Sequence, residues 1–355
     1  MSNRSILIMA GGTGGHIMPG LAVADILRSQ GWKVTWLGAP GSMEAELVPK
    51  HGYEVAWVNF SGLRGKGVMR KLMLPFTLLR ALGQSAAAIF RHRPDVVLGM
   101  GGYITFPGGV MAALLRRPLV IHEQNSIAGL SNKVLARISQ RVLSGFPDVL
   151  PKASWCGNPV RSSIAKLADP QQRYGARSGR LNVLVVGGSL GAKALNEVLP
   201  QALALMPEEV RPNVLHQTGK QHFEAVQQLY QNAGVQADIR PFLDDMAGCY
   251  ADADLVICRA GALTIAELAT AGVASILVPF PFAVDDHQTH NARFLSERGA
   301  AVLLPQTELN AEKLAQQLRE LTREKLLGMA QQARSVAKAD AALAVANVCK
   351  ELAEI

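Results

Sequence analysis

At 355 residues the chain is longer than one ordinary domain and fits two, each able to bury its own core. Hydrophobic residues make up 49% and charged ones 18%, which excludes a disordered chain, and no uncharged apolar run reaches the length of a membrane span. The net charge of +8 is concentrated, since residues 55–94 hold no Asp or Glu but contain Arg64, Lys66, Arg70, Lys71, Arg80, Arg91 and Arg93.

The first strand starts at Ser5 and leaves no room for a signal peptide. Its apolar run, Ile6 to Met9, meets the glycines Gly11, Gly12, Gly14 and Gly15 and then opens a helix with Leu21, Val23, Ala24, Ile26 and Leu27 at helical spacing. Glycines let a ligand approach the backbone, and first-turn amides with the helix dipole favour an anion. Thr13, Gly14, Gly15 and His16 are therefore candidates for a site of phosphate or developing negative charge. A strand over residues 33–37, a helix over 42–50 and a strand over 54–58 follow, then a glycine-rich loop over 59–67. Residues 68–91 read as a basic, apolar helical region interrupted at Pro75. It has few aromatics to stack on bases, so it fits an anionic membrane surface rather than nucleic acid.

The next strand, residues 95–98, delivers a second cluster, Gly99, Gly101 and Gly102, followed by Tyr103 and a helix past Pro107. A strand over 119–121 ends in His122, Glu123, Gln124 and Asn125, and open α/β sheets place their ligands at such carboxyl ends. Residues 167–180 form a polar, looser run that reads as the end of the first domain. Residues 181–186 then repeat the opening device with Gly187, Gly188, Ser189, Leu190 and Gly191. Strands over 214–217, 238–242, 255–258, 274–278 and 301–304 alternate with helices, as in a second doubly wound sheet. A last helix, residues 340–355, has no strand after it and is expected to pack back on the first domain.

Nicotinamide chemistry is disfavoured: G-x-G-x-x-G fails at Ile17, and again at Ser189 and Ala192, and Trp36, Leu37 and Gly38 stand where an acidic residue belongs. The Walker lysine motif is absent. Asp252, Ala253 and Asp254 spell a D-x-D string, but they precede their strand and read as solvated surface. Cys156, Cys249, Cys258 and Cys349 have neither paired nor zinc-like spacing, which suits a reducing cytoplasm and no structural metal.

Seven motifs in order, GGTGGH (11–16), GMGGY (99–103), HEQN (122–125), GNPVR (157–161), GGSLGA (187–192), CRAGALTIAE (258–267) and DDHQTHNA (285–292), resemble the bacterial lipid-linked muramyl-pentapeptide N-acetylglucosaminyltransferases from one end of the chain to the other. The resemblance implies an α/β protein of GT-B type, with two Rossmann-like doubly wound parallel-sheet domains facing a cleft. Residues 1–160 with 340–355 would form the acceptor and membrane-facing domain, and 161–339 the donor domain. It implies inverting transfer of N-acetylglucosamine from UDP-N-acetylglucosamine to the 4-hydroxyl of undecaprenyl-pyrophosphoryl-N-acetylmuramyl-pentapeptide. The site would be the cytoplasmic face of the inner membrane, with a peripheral enzyme working beside other cell-wall synthesis proteins. Another UDP-sugar transferase or epimerase, or a non-catalytic membrane-bound nucleotide-sugar sensor, stays open as an alternative.

Carried over by position, Ser189 and the helix start at Leu263 and Thr264 would lie near the donor diphosphate, with Ala262, Ile265 and Ala266 also among the substrate-binding residues, and Glu267 would meet the ribose diol. Phe242 and Leu243 would cap uracil, Gln288 would meet sugar hydroxyls, and Tyr103, Asn125 and Arg161 would contribute from the first domain and hinge. An acceptor hydroxyl needs a base, for which His16 is the candidate and Glu123 the rival. No bound cofactor is expected, and assistance by a divalent cation such as Mg2+ is left open. The apolar loop PFPFAVDD ahead of Gln288 has no explanation in the sequence.

Overall fold

The computed structural model describes residues 4–61, 73–188 and 190–354. Ser189, and the cations Arg64, Lys66, Arg70 and Lys71, lie outside the described residues. The chain divides into two units, Met1–Arg161 with Ala339–Ile355, and Ser162–Lys338.

In the first unit, strands β1 (Ser5–Met9), β2 (Lys33–Gly38), β3 (Glu54–Trp57), β4 (Val96–Gly99), β5 (Leu119–Glu123), β6 (Arg141–Ser144) and β7 (Ser154–Trp155) form one sheet. Its order is β3-β2-β1-β4-β5-β6-β7, with every neighbouring pair parallel. Helices α1 (Gly14–Ser29), α2 (Met43–Lys50), α3 (Leu74–His92), α4 (Thr105–Leu114) and α5 (Leu130–Leu135) connect the strands. A parallel sheet covered on both faces needs strands apolar on both sides, and β1 satisfies this by alternation. Ile6 and Ile8 join one core with Leu98 and Val120, while Leu7 and Met9 join the other with Val97 and Ile121.

Pro75 stands in the first turn of α3, where a missing N–H costs nothing, and the helical residues expected before Met73 lie outside the described residues. This helix buries Ala81, Ser85, Ala88 and Ile89 on one face and leaves Phe76, Leu79 and Phe90 exposed.

The second unit holds β8 (Asn182–Val186), β9 (Asn213–Gln217), β10 (Asp238–Arg240), β11 (Leu255–Cys258), β12 (Ala274–Leu277) and β13 (Ala301–Leu303), in the parallel order β10-β9-β8-β11-β12-β13. Its helices are α6 (Ser162–Ala165), α7 (Pro170–Gly175), α8 (Lys193–Ala204), α9 (Phe223–Asn232), α10 (Met246–Asp252), α11 (Ala262–Ala271), α12 (His287–Ser296), α13 (Ala311–Glu320) and α14 (Arg323–Ser335). The last helix, α15 (Ala341–Ala353), belongs to the first unit, where Val345, Ala346, Cys349 and Leu352 enter the core of Ile6 and Leu21, and Glu354 pairs with Arg4 at 3.0 Å.

Two expectations are corrected here. The run over 167–180 is not loose, because α7 is fastened within the second unit: Arg173 donates to the carbonyls of Tyr250, Ala271 and Gly272, and Tyr174 Oη donates to Asp254 O at 2.7 Å. Asp254 is at the amino edge of β11 as expected, yet it is fully buried instead of solvated. Its carboxylate accepts from Arg177 at 2.7 Å, Arg323 at 3.1 Å and Asn182 N–H at 2.9 Å. Burial alone would push this carboxyl up, but the Arg323, Asn182 and Arg177 donors together hold it below the usual carboxylate range.

Candidate active site

In both units the strand order reverses direction beside the first strand, between β1 and β4 and between β8 and β11, and the glycine turns emerge at these switch points. In the first unit the turn after β1 and the turn after β4 pack backbone to backbone. Gly102 has φ +86°, and a Cβ there would lie 2.2 Å from Gly11 O, so only glycine serves. The first turn is pinned from below by Glu44, which is fully buried and accepts from Gly12 N–H at 3.1 Å and Ala39 N–H at 3.2 Å. Thr13 is the residue before α1 and makes no side-chain cap, which leaves Gly14, Gly15 and His16 as an uncapped first turn. Tyr103 stands over Gly12, and burial, then the Glu44 charge, pushes its phenol up.

The end of β5 supplies the polar groups. Residues alternate faces along a strand, so His122 and Gln124 share one side and Glu123 takes the other. His16 Nδ1 lies 2.8 Å from Gln124 Oε1, Gln124 Nε2 lies 3.0 Å from His122 Nδ1, and His122 Nε2 lies 2.9 Å from Gly157 O. His122 and Gln124 are buried, whereas His16 is half-exposed. Burial pushes the His122 imidazole down to about 4, against weaker opposing effects of the Gly157 carbonyl and Glu123. On the other side Glu123, also buried, accepts from Asn125 N–H at 3.0 Å, Gly129 N–H at 3.1 Å and Asn132 Nδ2 at 2.9 Å. It organises the loop that carries Asn125. Arg161, half-buried, closes the first unit.

In the second unit the glycine turn after β8 interlocks with the turn after β9. Gly191, at φ +80°, would place a Cβ 1.9 Å from Thr218 O, and Gly219 would place one 2.3 Å from Leu190 O. Gln217 Nε2 donates to Gly188 O at 3.0 Å and approaches Pro241 O at 3.4 Å, tying the glycine turn to the segment carrying half-exposed Phe242 and buried Leu243. At the end of β11 the extended Gly261 precedes α11 and offers no side chain to its first turn, where Ala262, Leu263 and Thr264 stand. Ile265 is core, Ala266 is partly exposed, and Glu267 is buried with Oε2 accepting from Tyr250 Oη at 3.1 Å.

After β12, Gln288 Oε1 accepts from Phe280 N–H at 2.9 Å, and Arg259 donates to Val278 O and Pro279 O. The apolar loop is thereby held at both ends while Phe282 stays 81% exposed. Asp285 and Asp286 turn it into α12 with φ of 52° and 50°. The structure thus gathers Thr13, Gly14, Gly15, His16, Tyr103, Glu123 and Asn125 at one sheet edge, and residues 262–267 and Gln288 at neighbouring strand ends of the other. Phe242 follows β10, the edge strand of that sheet. Glu44, Gln217 and Tyr250 escaped the sequence reading, as did the bridge that Gln124 makes between His16 and His122, although the alternation of His122 with Gln124 was a usable signal. Among the described residues no group of three or more His, Cys, Asp or Glu side chains converges as a metal site would require.

Residues 6–144 match the glycosyltransferase family 28 N-terminal domain and residues 182–348 its C-terminal domain. The chain belongs to glycosyltransferase family 28. Within that family it is 60% identical over 353 residues, 99% of each chain, to the UDP-N-acetylglucosamine–N-acetylmuramyl-(pentapeptide) pyrophosphoryl-undecaprenol N-acetylglucosamine transferase of Cupriavidus metallidurans. The enzyme of the same name from Azoarcus sp. is 62% identical over 351 residues, again 99% of each chain. The crystal structure of Acinetobacter baumannii MurG superimposes with a TM-score of 0.86 at 43% identity, covering 98% of this chain and 99% of that one. The calicheamicin glycosyltransferase CalG4, at 17% identity and a TM-score of 0.67 over 99% of this chain and 100% of its own, shares the family's GT-B fold.

Proposed function

We propose that this family member transfers N-acetylglucosamine from UDP-N-acetylglucosamine to the 4-hydroxyl of the muramyl sugar of undecaprenyl-pyrophosphoryl-N-acetylmuramyl-pentapeptide, with inversion to a β-1,4 link. The observation that carries this reading is the identity of about three residues in five with enzymes so named, end to end. The physical features agree with it. Transfer needs a proton acceptor for the attacking hydroxyl and charge stabilisation for the departing UDP. His16 is the acceptor, because the Glu123 carboxylate is already engaged by the Asn125, Gly129 and Asn132 donors, whereas the His16 ring is half-exposed beside the glycine turn. The leaving diphosphate is met by first-turn amides of α11 and by the glycines Gly187, Gly188 and Gly191 after β8. Glu267, aimed by Tyr250, takes the ribose diol, and Phe242 covers the base.

The exposed first turns of α3 are the membrane-facing surface. Met73, Phe76 and Leu79 stand out from it with Arg80 beside them, and no helix among the described residues is long and apolar enough to cross a bilayer. Such a surface suits the headgroup region of an anionic leaflet, which supports the reading of a peripheral enzyme on the cytoplasmic face, where the lipid-linked acceptor is held.

Incubating the protein with UDP-N-acetylglucosamine and a short-chain lipid-linked muramyl acceptor, with and without Mg2+, is the test. The expected products are UDP and glycosylated lipid in equal amounts. Release of UDP with no glycosylated lipid would overturn the transfer reading.

A further inference from the structure

We propose that Gln124 is a positioning residue that holds His16 as the tautomer protonated on Nδ1, leaving Nε2 as the nitrogen that takes the proton of the acceptor hydroxyl. The inference rests on the reading of His16 as the base and adds how that base is set. One hydrogen-bonded chain carries it, its polarity fixed at two points, Gly157 O and His122 O, by backbone carbonyls, which only accept.

At the far end, His122 Nε2 faces Gly157 O at 2.9 Å, so Nε2 must carry a proton. The buried neutral ring then has an unprotonated Nδ1, and that atom must accept from its neighbour Gln124 Nε2 at 3.0 Å. The same Gln124 nitrogen donates to His122 O at 3.1 Å, which independently identifies it as the amide NH2. The remaining amide atom, Oε1, has no proton to give. It faces His16 Nδ1 at 2.8 Å, so His16 must be the donor. Reversing the Gln124 amide would set two lone pairs against each other at His122 O, and protonating His122 on Nδ1 would leave Gly157 O facing a second acceptor. Each reversal strands a buried polar group, which costs roughly 1–3 kcal/mol.

The surroundings keep this chain dry and immobile. Gln124 is 1% and His122 0% exposed, and Asn158 Nδ2 donates to Gln124 O at 2.9 Å. The backbone of Gly101 lies against the His16–Gln124 bond so closely that a Cβ would come within 2.8 Å of His16 Nδ1 and 3.2 Å of Gln124 Oε1. Only the Nε2 side of His16 is left for substrate. The device works as the buried partner of a catalytic histidine works elsewhere, with the difference that a neutral amide sets the tautomer and contributes no charge to the imidazolium that forms.

The full-length protein, labelled with 15N-histidine, decides this by long-range 1H–15N correlation at neutral pH, with His16→Asn identifying the His16 signals. The parent is expected to show the His16 proton on Nδ1, a measurement that needs no change at Gln124. Gln124→Leu is expected to shift the ring toward the Nε2-protonated form and lower kcat by about 100-fold, as misplacement of a reacting group does, with KM for UDP-N-acetylglucosamine within about twofold. A proton on Nε2 in the parent, or a tautomer unmoved by Gln124→Leu, would overturn the proposal. Undiminished turnover in His16→Asn would instead remove the base reading, while the spectrum still reports whether Gln124 sets the ring.

Discussion

The two units are built on the same strand order and the same glycine-turn device, yet their sheet edges carry opposite kinds of chemistry. In the first unit the strand end of β5 loads the edge with hydrogen-bonded side chains able to hold or pass a proton: His122, Gln124 and, from α1, His16. The corresponding edge of the second unit offers mainly backbone, interlocked glycine turns and the uncapped start of α11, with Glu267 buried one helical turn along it. A doubly wound sheet places ligands at its switch point regardless of the reaction, and what the loops carry decides between proton transfer and anion binding. The difference predicts that substitutions in the first unit act on turnover and those in the second on nucleotide affinity.

The largest expected effect tests the first half of that statement. His16→Ala should lower kcat by about 10²–10⁴-fold, the range for loss of a general base, and leave the Kd for UDP within about twofold. Calorimetry and steady-state rates on the same preparation separate the two. A weakened UDP affinity with kcat preserved would reverse the division of labour between the units, and an inactive Glu123→Ala beside an active His16→Ala would move the base to Glu123.

The second half is tested at Glu267. Loss of a hydrogen bond to a charged group costs about 1.5–3 kcal/mol, so Glu267→Ala should weaken UDP binding by about 10- to 100-fold. The parent should discriminate against 2′-deoxy-UDP and the variant should not. Equal affinity of the parent for UDP and 2′-deoxy-UDP would take Glu267 away from the ribose. Tyr250→Phe, which removes the donor 3.1 Å from Glu267, should give a smaller loss in the same direction.

Much of this arrangement is legible in the sequence because parallel strands buried on both faces must be short apolar runs, and glycines must follow where a backbone is approached closely. The first five strands of the first sheet and all six of the second follow from those two rules, whereas β6 and the two-residue β7 do not. What escaped depends on partners distant in sequence. Glu44 reads as an exposed helix acid until the turn at Gly12, 32 residues earlier, closes over it. Asp254 reads as surface because Arg177 and Arg323, which make its burial tolerable, lie 77 and 69 residues away. Gln124 is the middle of a motif, and only the folded chain shows that it joins two histidines.

A buried histidine in each unit gives a test on which they should behave alike. Burial pushes both His122 and His216 down to about 4, and His216 is held neutral between Asn196 Oδ1 at 3.1 Å and Tyr230 Oη at 3.0 Å. Between about pH 6.5 and 4 the unfolded chain binds protons that these folded sites refuse, so stability rises with pH there. Their contribution is whole above about pH 6.5 and is lost as pH falls toward 4, amounting to about 2 kcal/mol per site by pH 5. Urea unfolding at pH 7.5 and 5 should show this loss in the parent, and His216→Phe should shrink it by about that amount. A variant with the parent's full acid sensitivity would show that His216 takes up its proton without unfolding.

The smallest expected effect tests the proposed membrane face on α3 of the first unit. Arg80 is exposed on α3 beside Leu79 and two turns short of buried Ala88, so its charge contributes to no core contact of the first unit. A cation near an anionic leaflet contributes about 1 kcal/mol, so Arg80→Gln should weaken binding to vesicles containing anionic lipid by about fivefold at low salt. Added salt should erase the difference as the Debye length shortens, and neutral vesicles should not distinguish variant from parent. Phe76→Ser acts through apolar burial instead, so its loss should persist in high salt and on neutral vesicles. UDP affinity, which we propose to lie in the second unit, should be untouched by either change. Sedimentation of Arg80→Gln and Phe76→Ser with anionic vesicles as complete as that of the parent would move the docking surface off α3 to another face of the first unit.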